Sequence, residues 1–136
     1  MSLAACTVGV IVPPHVSGWV CTACRAGLDY WKYVKVNIFP SFSKYKSTLK
    51  DSRLLALSKS GKESLNDFTF KPKDILIFGR EDDGLPISIR NQCSDVIAIP
   101  MPGGAVHFEG AGVRSLNLSV ACGITIYKAC EQLLLC

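Results

Sequence analysis

The stretch Ile75-Leu76-Ile77-Phe78-Gly79-Arg80-Glu81-Asp82-Asp83-Gly84-Leu85-Pro86 decides the fold. Four consecutive apolar residues predict a short strand buried on both faces, the kind found inside parallel sheets. Gly79 ends it, a charged turn follows, and Pro86 suits the first position of a short helix running to Gln92. Outward from this unit, Thr7 to Val12 reads as a strand stopped by Pro13-Pro14, and Leu54 to Leu57 and Val96 to Ile99 read as two more. Tyr33 to Phe39 alternates apolar and polar residues, which predicts a half-buried strand. Phe42, Tyr45 and Leu49 recur at helical spacing behind a candidate N-cap at Ser41. Leu116, Val120, Ile124, Tyr127 and Leu134 fall on one stripe of a terminal helix, with Ser115 as candidate N-cap, and this predicts a largely buried helix. Strands alternating with helices indicate an α/β domain: a mainly parallel sheet with flanking helices. Ligands of such sheets sit beyond the carboxyl ends of the strands, here the loops after Leu57, Phe78 and Ile99.

With 136 residues and 14.7 kDa, the chain suits one domain, and 49% hydrophobic residues suffice for a core. Collagen-like, coiled-coil and disordered classes are excluded. No apolar run reaches the roughly 20 residues that cross a bilayer, and the apolar N-terminus lacks the basic segment of a signal peptide, so a cytoplasmic protein without a membrane partner is expected. Seven cysteines, an odd number, fit reduced thiols in an intracellular protein better than a secreted disulfide framework.

The net charge of +4 is unevenly placed. Residues 32–73 hold ten bases against three acids, a net +7, whereas residues 74–136 carry −3. The basic stretch, interleaved with Tyr33, Phe39, Phe42 and Tyr45, suits a phosphate backbone and stacked bases; a solvated lysine-rich face that keeps the domain soluble is the alternative.

Several motifs fail on their own terms. Cys21-x-x-Cys24 has no second pair at zinc spacing, so no metal is expected. His107-Phe108-Glu109 lacks the Pro-Cys-x-x-Cys of the zinc deaminases. Gly79 and Gly84 have the spacing of a P-loop, but Leu85-Pro86 stands where Lys and Ser or Thr belong. Asn117-Leu118-Ser119 is a glycosylation acceptor in form only, because an apolar helix begins there.

Three segments remain as a set: Phe78-Gly79-Arg80-Glu81 through Gly84-Leu85-Pro86, the strand ending in Ile99-Pro100-Met101, and Ser115-Leu116-Asn117-Leu118-Ser119. In order and spacing they resemble motifs two and three of the SpoU (TrmH-type) branch of the SPOUT RNA methyltransferases. Ala26-Gly27-Leu28-Asp29-Tyr30-Trp31 resembles a block of the tRNA wobble-position ribose methyltransferases, and Arg53 to Gly61 resembles the strand and loop after it. The resemblance covers about residues 26–134. It implies a single SPOUT methyltransferase domain over residues 1–136, with the C-terminal segment threaded into a trefoil knot, an exception to unknotted topology. It also implies S-adenosylmethionine as cofactor, homodimers, and transfer of a methyl group to a ribose 2′-hydroxyl of RNA, most simply tRNA. The cofactor-binding positions it implies are Leu57, Gly79, Ile99, Ser115 and Leu116. Glu81, Arg114 and Asn117 are the candidate catalytic residues, although capping roles for Glu81 and Asn117 stand equally open. Lys44, Lys46, Lys59 and Arg80 are the candidate RNA contacts.

The chain departs from the family at its first motif, of the form N-x-G-N-x-x-R, whose Arg is proposed to activate the hydroxyl. Only Pro13-Pro14-His15-Val16-Ser17-Gly18-Trp19 stands there, and His15 to Arg25 is too short for a helix, a strand and a loop. The N-terminal part, residues 1–31, is therefore expected to be shortened. Impaired catalysis, or a non-catalytic RNA-binding relative, is the alternative expectation.

Overall fold

The structure is a computed structural model that describes residues 7–10, 37–80, 83–101 and 116–134. The chain divides into two compact units, residues 12–50 and the remainder.

The larger unit is built on a five-stranded sheet. Its strands are β1 (Thr7–Val10), β2 (Leu54–Leu57), β3 (Glu63–Ser64), β4 (Ile75–Phe78) and β5 (Asp95–Ala98). They lie in the order β1-β4-β2-β5-β3, and every pair is parallel. Leu55 stands beside Leu76, and Leu57 beside both Phe78 and Ile97. All four residues of β2 and of β4 are buried, as expected of central strands in a parallel sheet. Alternate residues share a face, so Leu55, Leu57, Leu76, Phe78 and Ile97 gather into one core with Leu65, Phe68, Phe70 and Ala129.

Helix α3 (Leu118–Leu134) packs on that core through Leu118, Cys122, Ile126, Ala129 and Leu133. This corrects the expected stripe. Val120, Ile124 and Tyr127 are exposed, Tyr127 by 70%. A step of two residues turns a helix by about 200°, so the stripe through Leu118 and the stripe through Val120 lie on opposite sides. Both are apolar, and periodicity alone does not choose between them. The side chain of Leu134 lies outside the described residues. Gln132 fastens the far end of the helix: its amide accepts from Phe70 N–H at 2.9 Å and donates to Phe68 C=O at 2.8 Å.

The amino-terminal end of the sheet is tied by charge. Arg53, just before β2, donates from Nε and Nη2 to the two carboxylate oxygens of Asp74, at 2.9 and 2.6 Å, just before β4. Asp95, the first residue of β5, lies 3.8 Å from the same guanidinium. Asp74 is 3% exposed and also accepts from Lys71 N–H at 2.8 Å. Phe68 lies under the guanidinium at 5.3 Å. The hydrogen bond to Asp74, more than any other influence, raises the Arg53 pKa.

Helix α2 (Ile87–Arg90) is one turn long, and Pro86 caps it rather than occupying its first position, since its ψ of 140° is extended. In the smaller unit, α1 (Phe42–Ser47) is capped by Ser41, whose hydroxyl accepts from Lys44 N–H at 3.2 Å. The rings of Phe39 and Phe42 lie 5.1 and 6.5 Å from that of Tyr45. Burial pushes the Tyr45 hydroxyl pKa up. The strand expected over Tyr33 to Phe39 is corrected where it is described: residues 37–39 have no regular structure, and Ile38 is 81% exposed. Residues 33–36, the cysteines Cys21 and Cys24, and the glycine-rich loop after Met101 lie outside the described residues.

Candidate active site

A cleft of about 280 Å³ opens at the carboxyl ends of β2, β4 and β5, where parallel sheets present their ligand sites. Leu57, Phe78 and Ile97 line it from the strand ends, and Ile99 and Met101 from the segment after β5. Leu116, Leu118 and Ala121 close it from the start of α3. Four of the five expected cofactor positions, Leu57, Gly79, Ile99 and Leu116, are therefore brought together from four separate segments. The fifth, Ser115, lies outside the described residues.

Gly79 sits where no side chain fits. A Cβ placed on it would stand 2.1 Å from Gly84 C and Leu85 N, inside the backbone of its own loop. That loop closes as a small antiparallel bridge: Arg80 N–H donates to Gly84 C=O at 3.0 Å, and Gly84 N–H returns to Arg80 C=O at 2.9 Å. Gly84 completes the turn at φ +71°, the left-handed region that favours glycine. The loop after β2 is held just as closely. Ser58 N–H donates to Ile97 C=O at 2.9 Å, and a Cβ on Gly61 would stand 2.4 Å from Ile97 C. The cleft thus offers bare backbone at the mouth of β4, an apolar floor, and loops fixed by hydrogen bonds.

Asn117 is the N-cap of α3, in place of the expected Ser115. Its Oδ1 accepts from Ser119 N–H at 2.9 Å, and its C=O accepts from Ala121 N–H at 3.0 Å. This geometry supplies a capping role for Asn117. Glu81 and Arg114 lie outside the described residues.

Among the expected RNA contacts, Lys59 and Arg80 line the cleft, and Arg80 pairs with Asp83 at 3.0 Å. Lys44 and Lys46 are exposed on α1, in the other unit. Among the polar lining residues, Ser58, Ser60, Asp83 and Arg90 were not anticipated. The serines follow Leu57 at a strand's carboxyl end, a position that itself marks a ligand site. Arg90 gives no signal in sequence, because only the fold carries α2 to the loop after β2. Among the described residues, no group of three or more His, Cys, Asp and Glu could hold a metal, and no helix is long and apolar enough to cross a membrane.

The chain is 35% identical over 113 residues to an Acidovorax protein named tRNA (cytidine(34)-2′-O)-methyltransferase, covering 79% of this chain and 64% of that one. Relatives of this name match about two-thirds of their own length. A solved structure described as giving insights into "2-OH methylation of C/U34 on tRNA" superposes with a TM-score of 0.78 at 32% identity, over 96% of this chain and 80% of that one. The SpoU methyltransferase AviRb of Streptomyces viridochromogenes, solved with AdoMet, superposes with a TM-score of 0.53 at 26% identity, over 68% of this chain and 32% of its own. The model of the SpoU rRNA Methylase family matches residues 2–127, almost the whole sequence, and the chain belongs to that family.

Proposed function

We propose that this protein is an S-adenosylmethionine-dependent methyltransferase acting on the ribose 2′-hydroxyl of tRNA at the wobble nucleotide. It works as one methyltransferase domain, in the cytoplasm, as a homodimer, without a metal, and with its C-terminal segment knotted. The observation that carries the reading is the convergence of Leu57, Gly79, Ile99 and Leu116 on one cleft. Names of relatives that specify cytidine 34 support the choice of nucleotide. The approach of α3 to the loops after β4 and β5 supports the knot, and the exposed apolar face of Val120, Ile124 and Tyr127 supports the dimer.

The cleft fits the cofactor on its own chemistry. Backbone amides and carbonyls beside Leu57 and Ile99 can meet the edge of a purine, and the apolar floor takes its faces. At Gly79 the missing Cβ lets the Gly84–Leu85 backbone close against the mouth of β4 and form that wall of the cleft. When bound, the cofactor supplies a methyl group on a sulfonium, the reactive part of the chemistry. The chain's residues exclude water with Leu57, Ile99, Met101 and Leu116 and hold the acceptor hydroxyl in line. Glu81 is the candidate acceptor of the hydroxyl proton, Arg114 the candidate clamp on a phosphate, and Asn117 fixes the helix start that closes the cleft.

Incubation of an excess of protein with tRNA and methyl-labelled S-adenosylmethionine tests the reading. Label recovered in a 2′-O-methylated nucleoside at position 34 is the expected result. Cofactor binding without label transfer would replace it with the non-catalytic RNA-binding relative.

A further inference from the structure

The rim of the cleft holds a cation whose fork is preset. Arg90, the last residue of α2, donates from Nη1 to Ser60 Oγ and reaches Ser58 Oγ at 3.4 Å. The two hydroxyls lie 3.0 Å apart, and Ser60 N–H donates to Ser58 Oγ at 3.3 Å. This web draws the guanidinium onto the loop after β2 by one nitrogen. Among the described residues Nε and Nη2 make no hydrogen bond, so the edge best suited to bidentate oxyanion binding points away from its anchors. No carboxylate among the described residues pairs with Arg90 or with neighbouring Lys59.

Charge and position decide what this edge meets. The described residues lining the cleft include the cations Lys59, Arg80 and Arg90 against the single acid Asp83. Among the described residues the rim is net positive, which favours a polyanion there. Lys59 and Ser60 are exposed at the mouth, whereas the floor is apolar. A small cofactor occupies the floor; a nucleic acid, too large to enter, meets the rim.

We propose that Arg90, anchored by Ser58 and Ser60, clamps a backbone phosphate of the substrate RNA beside the cleft. The clamp fixes the register of the strand so that one ribose faces the floor, because phosphate contacts position a nucleic acid without reading its sequence. The proposal rests on the RNA-methyltransferase reading above.

The test is binding of unfractionated tRNA and of S-adenosylhomocysteine to the full chain, each measured against salt concentration. Arg90→Ala weakens tRNA binding about tenfold, the loss of one charge-assisted contact, and makes the plot of log affinity against log salt shallower by about 0.7–0.9. Affinity for S-adenosylhomocysteine stays within twofold. Arg90→Lys restores the salt slope but only part of the affinity, because the charge returns without the fork. Ser60→Ala keeps the slope and loses a few-fold in affinity, as expected for a positioning residue. Unchanged tRNA affinity and slope in Arg90→Ala overturn the clamp, as does a loss confined to S-adenosylhomocysteine, which reassigns Arg90 to the cofactor's carboxylate. A wild-type chain that binds neither ligand overturns the parent reading as well.

Discussion

Replacing Gly79 by alanine adds one methyl group at the mouth of β4, and the structure sets its cost. The new Cβ lies 2.1 Å from Gly84 C and Leu85 N, and 2.4 Å from Gly84 O, where ordinary contact begins at 3.4 Å. The backbone of residues 84 and 85 must retreat by about 1.3 Å, which stretches the Arg80–Gly84 hydrogen bonds from 3.0 and 2.9 Å beyond bonding distance. Two backbone bonds at about 1 kcal/mol each, with overpacking of about 1–2 kcal/mol, amount to about 3 kcal/mol. For a chain of this size that lowers Tm by about 10 °C. Should the loop yield instead, the cleft loses its shape, and even half of that free energy is about tenfold in affinity. Gly84→Ala is the internal control. Its Cβ meets nothing within 4 Å, and only the φ of +71° opposes it, at about 1 kcal/mol. Thermal unfolding and calorimetric titration with S-adenosylhomocysteine read both variants. Gly79→Ala within 2 °C and twofold of wild type, or less damaging than Gly84→Ala, would refute the steric reasoning.

Removing the buried carboxylate with Asp74→Ala leaves the Arg53 fork and Lys71 N–H without their acceptor; as Arg53 is partly exposed and can rehydrate, denaturant unfolding is expected to show a loss of about 2–3 kcal/mol. A loss under 0.5 kcal/mol contradicts that assignment. Burial pushes the Cys122 thiol pKa up, so the folded chain keeps this proton at a pH where the unfolded chain has released it. Its contribution to stability is full below the ordinary thiol pKa and declines as pH rises above it. Iodoacetamide at pH 8 therefore alkylates Cys122 several times more slowly in the native protein than in denaturant, as mass spectrometry would record, and equal rates would count against the burial argument. Ile124→Glu places a charge on the exposed face of α3 and is expected to shift sedimentation from dimer to monomer; an unchanged dimer moves the interface elsewhere.

The sheet was the most legible part of the sequence. Leu54–Leu57, Ile75–Phe78 and Asp95–Ala98 are continuous or nearly continuous apolar runs because covered strands need no polar face. The terminal helix was legible in extent but not in orientation: a helix apolar on two sides gives a good stripe in either phase, and only packing on the core of the sheet selects Leu118, Cys122 and Ile126. Residues 33–39 alternate in sequence, yet the described ones, 37–39, form no strand, since alternation carries no information about whether a partner strand exists. At the site, the loops after Leu57, Phe78 and Ile99 were found from sequence, because strand ends are local features, and the family resemblance supplied the single positions within them. Arg90 was not, because its approach to Ser58 and Ser60 spans about thirty residues of chain and depends on the order of strands in the sheet.

The ion cluster of Arg53, Asp74 and Asp95 gathers the strand beginnings, whereas Gly79, Leu57 and Arg90 gather at the strand endings. Four-residue strands set these two ends about 10 Å apart, the separation beyond which substitutions combine nearly independently. One end of the sheet can therefore be reinforced while the other is remodelled. For directed evolution this is a useful division: libraries aimed at a new acceptor can vary the loops after β2 and β4 on a background already hardened at Arg53. Lineages drifting in substrate preference need not pass through poorly folded intermediates.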